Sequence, residues 1–114
     1  MSRTRHDRLH DILEAIAAVR TTEARLDEVG VGREERARVS SVIRELAIIG
    51  EAVSHLPDRD RKSEPAIPWR NIAGMRVLLD HLYHRVDQGA VWATVDRDLG
   101  PLEAAVRRLL GEAD

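Results

Sequence analysis

Apolar residues recur at intervals of three and four along most of the chain, and the breaks between those runs divide it. From about Arg5 to Val29 the apolar positions are Leu9, Ile12, Leu13, Ile16, Val19 and Leu26, the pattern of an amphipathic helix. Gly30-Val31-Gly32 ends it, glycine being the usual residue just past a helix terminus. From about Arg33 to Leu56 the stripe resumes with Val39, Val42, Ile43, Leu46, Ile49, Val53 and Leu56. The run Pro57 to Pro65 is polar, charged and closed by proline at both ends, which predicts a loop. Pro68 offers a fixed φ at the first position of a third helix, whose core side holds Ile72, Met75, Leu79, Leu82 and Val86. After Asp87-Gln88-Gly89, a short helix is expected over Ala90, Val91, Trp92, Val95 and Leu99. Gly100-Pro101 separates it from a last helix with Leu102, Ala105, Val106, Leu109 and Leu110. No repeat, low-complexity tract or strand pattern interrupts the series. Residues 1–114 are expected to form one all-α domain, an antiparallel helical bundle of four to five helices.

Composition narrows the setting. Hydrophobic residues at 43% and charged residues at 33% suit a folded helical protein rather than a disordered one. With no cysteine, disulfides and thiolate metal sites are excluded. No signal-peptide run is present, and nothing approaches the roughly 20 apolar residues of a membrane span, so the expected location is cytoplasmic, without membrane contact. The formal net charge of −2 argues against a general attraction to nucleic acid, which comes from many basic side chains displacing phosphate counterions. If the chain handles RNA, a local cluster of arginines must do it. Of the 18 basic residues only Lys62 is lysine; arginine forks phosphate oxygens bidentately, although arginine-rich coding would produce the same bias.

The stretch from Pro68 to Asp87 holds two of the three aromatic residues, Trp69 and Tyr83, and the pattern Arg-x4-His-x-Tyr formed by Arg76, His81 and Tyr83. At about 100° per residue, Arg76, Tyr83 and Asp87 share one edge of the core stripe. His81 falls on another side with Gly74, Val77, Leu78 and Arg85, a partly apolar surface that wants a cover. A second copy of the same helix is the economical cover, because small homo-oligomers are most often two-fold dimers with self-complementary patches. Arg76 and His81 stand about 140° apart on an ideal helix, so a homodimer is also the means of bringing two arginines and two histidines around one cleft. Such a cleft has the parts for RNA cleavage without a metal or cofactor: one imidazole takes the 2′-hydroxyl proton, the other gives a proton to the leaving oxygen, and arginine stabilises the phosphate.

Plainer readings stand beside this one. An arginine and a histidine five apart occur by chance on many helices, and Tyr83 alone is more often a packing residue at the edge of the stripe. His81, His84 and Asp87 at helical spacing also suit a metal, while His6 and His10, one turn apart, lack a third ligand nearby and fit a solvated helix start. Arg44 and Glu51, seven apart, share a face beside the second stripe, as a polar wall or a solvated edge. His55 stands where a helix dipole favours positive charge.

Several blocks together are more specific than Arg-x4-His alone. Ile49-Gly50-Glu51-Ala52-Val53, Ile67 to Arg76, His81-Leu82-Tyr83, Val86-Asp87, Val91-Trp92 and Asp98 to Leu102 occur in an order and spacing that resemble the HepT-like toxins of the HEPN superfamily. Arg8 to Ile16 also looks like that family's opening helix. The resemblance covers nearly the whole chain. It implies an all-helical homodimer with paired Arg-x4-His motifs, metal-independent ribonuclease activity as a toxin, and a nucleotidyltransferase antitoxin of the MntA type that transfers AMP to the motif tyrosine. Carried over, Arg76 and His81 are the catalytic pair and Tyr83 is the AMPylation target; beside that motif, Arg44, Glu51, Arg70, Asn71 and Asp80 are candidate supporting residues. Three places depart from the family pattern: Val77 replaces a polar residue, Asp80 replaces an apolar one, and His84-Arg85 replaces an aromatic-glycine pair. They ground an alternative, a dimeric module that partners a nucleotidyltransferase without cleaving RNA.

Overall fold

The computed structural model describes residues 2–32, 40–81 and 88–111, with no side chains for residues 40, 79–81 and 88–92. Helix α1 spans Arg5–Glu28, α2 Ser40–Ser54, α3 Asp58–Ser63 and α4 Trp69–Ala73; a 3-10 helix, η1, covers Gly74–His81, and α5 runs over Gln88–Leu109. No strand occurs among the described residues, and the fold is all-α as expected.

Helix α1 begins in a capping box. The Thr4 hydroxyl accepts from the Asp7 amide at 3.0 Å, and the Asp7 carboxylate accepts from the Thr4 amide at 2.9 Å, so two otherwise unpaired donors are satisfied. Those bonds hold the Asp7 carboxyl below its ordinary range. The helix ends at Gly30, whose φ of 74° is the left-handed conformation expected there.

The core forms around α2. Leu9, Ile12, Ala15, Ile16 and Val19 of α1 pack with Val42, Leu46, Ile49, Ala52 and Val53 of α2, with Ile67, Trp69, Ile72 and Met75, and with Val95, Leu99, Leu102, Ala105 and Val106 of α5. Helix α2 lies between α1 on one side and α4 with η1 on the other, and α5 packs against α1. A hydrogen bond and an ion pair show that α1 and α5 run antiparallel: Arg5 near the start of α1 donates to the Leu109 carbonyl at 3.1 Å, and Arg20 further on pairs with Glu103 at 2.6 Å.

Three elements differ from the sequence pattern. The predicted loop between Pro57 and Pro65 contains α3. It has no apolar stripe and owes its order to partners from elsewhere. Buried Asp60 accepts from Arg5 Nε at 2.7 Å and Nη2 at 3.0 Å. The Trp69 indole donates to the carbonyls of Glu64 at 2.9 Å and Arg61 at 3.1 Å, and Arg108 grips Glu64 bidentately, with Nη2 to Oε1 at 2.6 Å and Nε to Oε2 at 3.1 Å. The charges suit the helix dipole, with Asp58 and Asp60 in the first turn and Arg61 and Lys62 in the last.

The expected break at Gly100-Pro101 is absent, because α5 continues through both. Proline removes one amide donor and costs about 3 kcal/mol inside a helix. Here both residues are exposed, while Leu99, Leu102, Ala105 and Val106 on either side are buried. At roughly 1.5–3 kcal/mol for each buried large aliphatic side chain, that burial exceeds the proline cost.

The third helix begins one residue later than expected, with Pro68 as its cap. It is α-helical for five residues only and then tightens into eight residues of 3-10 helix. Three residues per turn stack positions i and i+3, so Leu78 follows Met75 inward. Leu78 therefore packs against the core, whereas an α-helical wheel puts it on the outer surface.

Candidate functional site

Arg76 stands on η1 with an exposed side chain. Its backbone is held against α2 at a position where only glycine fits. A Cβ on Gly50 would collide with the Arg76 amide nitrogen and stand 2.9 Å from the Met75 carbonyl carbon and 3.0 Å from the Ile72 carbonyl oxygen. All three are backbone atoms, which cannot swing aside as a side chain can. Gly50 of the Ile49-to-Val53 block thus seats the segment that carries Arg76.

Arg76 lines a groove of about 310 Å³ together with Arg8 and Asp11 of α1 and Ala47, Ile48, Glu51 and Ala52 of α2. The α2 residues form an apolar floor with Ile48 partly exposed at 38%, and the charged groups stand around it. Both carboxylates are engaged. Asp11 is clamped by Arg3, whose Nε donates at 2.7 Å and whose Nη2 also donates; this pairing raises the Arg3 guanidinium pKa further. Glu51 is bonded by His55 Nε2 at 2.8 Å. The Arg8 and Arg76 guanidiniums form no hydrogen bond or ion pair among the described residues.

Of the supporting residues inferred from sequence, Glu51 shares the groove with Arg76. Arg44 is exposed but does not line it, and Arg70 and Asn71 are exposed on α4. The polar wall expected from Arg44 and Glu51 therefore reduces to Glu51. Asp80 and His81 end η1, and their side chains lie outside the described residues, as do Tyr83, His84 and Asp87 entirely. The 3-10 backbone does alter one sequence expectation. At a rise of about 2.0 Å per residue rather than 1.5 Å, His81 follows Arg76 by about 10 Å along the axis instead of about 7.5 Å. One segment is thus less able to bring the two together. Pattern reading did not single out Arg8, Asp11 or Ile48; the available signal was that Arg8 and Asp11 are three apart on α1, off the Leu9, Ile12 and Ile16 stripe.

His6 and His10 face each other with Nε2 atoms 3.0 Å apart and ring centroids 4.5 Å apart. No group of three or more metal-ligating side chains occurs among the described residues, and no described helix is long and apolar enough to cross a membrane.

The Ribonuclease HepT-like family model matches residues 12–109. The chain belongs to this family. Among HepT-like relatives, it is 36% identical over 111 residues to the "Probable ribonuclease HepT" of Thermococcus cleftensis, covering 96% of this chain and 98% of the relative. It is 41% identical over 68 residues to "Putative RNase TTE0752" of Caldanaerobacter subterraneus, covering 60% and 61% of the two chains. With "Putative RNase MJ0127" of Methanocaldococcus jannaschii it shares 30% identity over 110 residues, 91% of this chain and 88% of that one. No solved structure matches the chain. The HepT-like resemblance read from the motif blocks is thereby borne out, and ribonuclease is the activity by which the family and these relatives are named.

Proposed function

We propose that the chain is the toxin of a toxin-antitoxin pair, an endoribonuclease that needs no metal and whose site combines Arg76 and His81 across a two-fold dimer. The observation that carries this reading is Arg76 itself: an exposed guanidinium without an acidic partner among the described residues, fixed at the edge of a groove by backbone contact with α2. A phosphate supplies the missing partner. In the reaction, one His81 imidazole takes the proton of a ribose 2′-hydroxyl, and that oxygen attacks the adjacent phosphorus. As the bond to the 5′-oxygen breaks, the His81 imidazolium of the partner subunit protonates the leaving oxygen. The products are a 2′,3′-cyclic phosphate and a free 5′-hydroxyl. Arg76 stabilises the negative charge that builds on the phosphate oxygens. The nucleophile belongs to the substrate, so no metal-bound water is required. Tyr83 is the site at which an MntA-like nucleotidyltransferase attaches AMP, placing bulk and negative charge where RNA phosphate binds.

The test is cleavage of single-stranded RNA by the purified, unmodified protein in excess chelator. Cleavage is expected to persist, to disappear in His81→Ala and to fall at least about 100-fold in Arg76→Ala. Coexpression with a nucleotidyltransferase encoded beside it should add AMP to wild type but not to Tyr83→Phe, read by intact mass, and should silence the wild type. Cleavage that survives His81→Ala, or that the chelator removes, overturns the mechanism. Val77, an apolar side chain 43% exposed beside Arg76, favours the second reading, a binding module only; RNA binding with no cleavage in any condition would establish it.

A further inference from the structure

The groove contains more than the motif arginine. We propose that Arg8 is a phosphate-positioning residue of the ribonuclease site, and that the groove between α1 and α2 seats the nucleotide next to the scissile phosphate. This rests on the reading of Arg76 and His81 as an RNA-cleaving pair.

The charge balance around the groove comes first. Among the lining residues, Asp11 and Glu51 contribute two negative charges and Arg8 and Arg76 two positive ones, so the groove is locally neutral in a chain whose total is −2. The distribution matters more than the sum. Both carboxylates are engaged by residues that do not line the groove, Asp11 by Arg3 and Glu51 by His55. The two guanidiniums that do line it, Arg8 and Arg76, have no acidic partner among the described residues. Arg8 and Asp11 are three apart on one helix, spacing at which an arginine and an aspartate ordinarily pair. Arg3 occupies Asp11 instead, which leaves Arg8 available to an anion. Arginine forks phosphate oxygens bidentately, and two such forks on opposite walls suit consecutive phosphates of a nucleic-acid backbone.

The floor suits the remainder of a nucleotide. Ala47 and Ala52 keep it low, and Ile48 offers an exposed apolar face to a base or ribose. A volume of about 310 Å³ lies at the small end of ligand clefts, roughly 300–1,000 Å³, which is space for one nucleotide. A groove of this size, cationic on both walls and apolar beneath, fits a single-stranded RNA whose bases are unstacked and free to lie on protein.

Binding and cleavage test the inference separately. A labelled 2′-O-methyl RNA decamer lacks the nucleophile and stays intact even with active protein, so anisotropy reads binding alone. Arg8→Ala is expected to weaken binding about tenfold at moderate salt. It should also lower the slope of log affinity against log salt by about 0.7, the loss of one single-strand phosphate contact. Arg8→Lys should retain the slope, and Arg59→Ala, an exposed arginine outside the groove, should change neither quantity. On cleavable RNA, Arg8→Ala should raise KM about tenfold with kcat within a factor of about three. Wild-type affinity and salt slope in Arg8→Ala overturn the inference, as does a fall confined to kcat. If His81→Ala still cleaves, the catalytic reading fails while the decamer continues to decide the role of Arg8.

Discussion

Gly50 shows at the scale of one residue how the fold sets the site. Glycine in a helix interior costs about 1 kcal/mol relative to alanine, and Gly50 is nevertheless in the middle of α2, buried against η1. The close approach of the Met75 and Arg76 backbone accounts for it. Gly50→Ala, stabilising by propensity alone, is expected to destabilise by roughly 1–3 kcal/mol through overpacking against atoms that cannot rotate away. It should also lower RNA cleavage measured well below its melting temperature, because the displaced segment carries Arg76. A melting temperature equal to or above wild type in thermal denaturation would contradict this account. Sequence presented Gly50 only as part of a motif block. Its reason is a contact between residues about 25 positions apart, which no local pattern encodes.

At the scale of elements, legibility followed the source of each element's stability. Helices α1 and α2 bury a stripe of their own residues, and the spacing of Leu9, Ile12, Ile16 and Val19, or of Val42, Leu46, Ile49 and Val53, announces them directly. Helix α3 buries chiefly a carboxylate, and its order comes from Arg5, Trp69 and Arg108, which are distant in sequence. Breaking a fully buried ion pair by removing one member costs 3–5 kcal/mol; Asp60 is buried but the Arg5 side chain is 34% exposed. Asp60→Ala should therefore cost roughly 2 kcal/mol in denaturant unfolding and expose the α3 amides to hydrogen exchange ahead of those of α2. Equal protection of the two helices in the variant would show that α3 does not depend on this pair. Helix η1 was misjudged for another reason. Apolar spacing in residues 72–86 satisfies an α-helical wheel, whereas residues 74–81 wind as 3-10 helix with their backbone close against Gly50. Arg76 as a site residue was legible from motif spacing; Arg8 was not, because its role depends on Arg3 taking the neighbouring carboxylate.

For the whole molecule, the question is how Arg76 and His81 act together when they are separated by about 10 Å of 3-10 helix axis. The proposed dimer supplies the missing reach, and the exposed Val77 beside Arg76 gives it apolar surface near the site. Light scattering after size exclusion is expected to give twice the chain mass at micromolar concentration. Val77→Asp should shift the protein toward monomer and lower cleavage in parallel with the loss of dimer. A monomeric wild type that cleaves RNA with undiminished specific activity on dilution would place the whole site in one chain.

The Arg5 guanidinium, which donates to both Asp60 and the Leu109 carbonyl, brings the first turn of α1 and the last turn of α5 within one side chain's length. In topological terms the helices close into a ring, with the Gly30-Val31-Gly32 segment, exposed at both glycines, on its circumference. A circularly permuted chain, joined across that seam by a short flexible linker and reopened at Gly32, keeps Gly50, Arg76 and the groove floor in their original sequence context. It also frees the helix bearing Arg8 to be supplied and altered as the last segment of the chain.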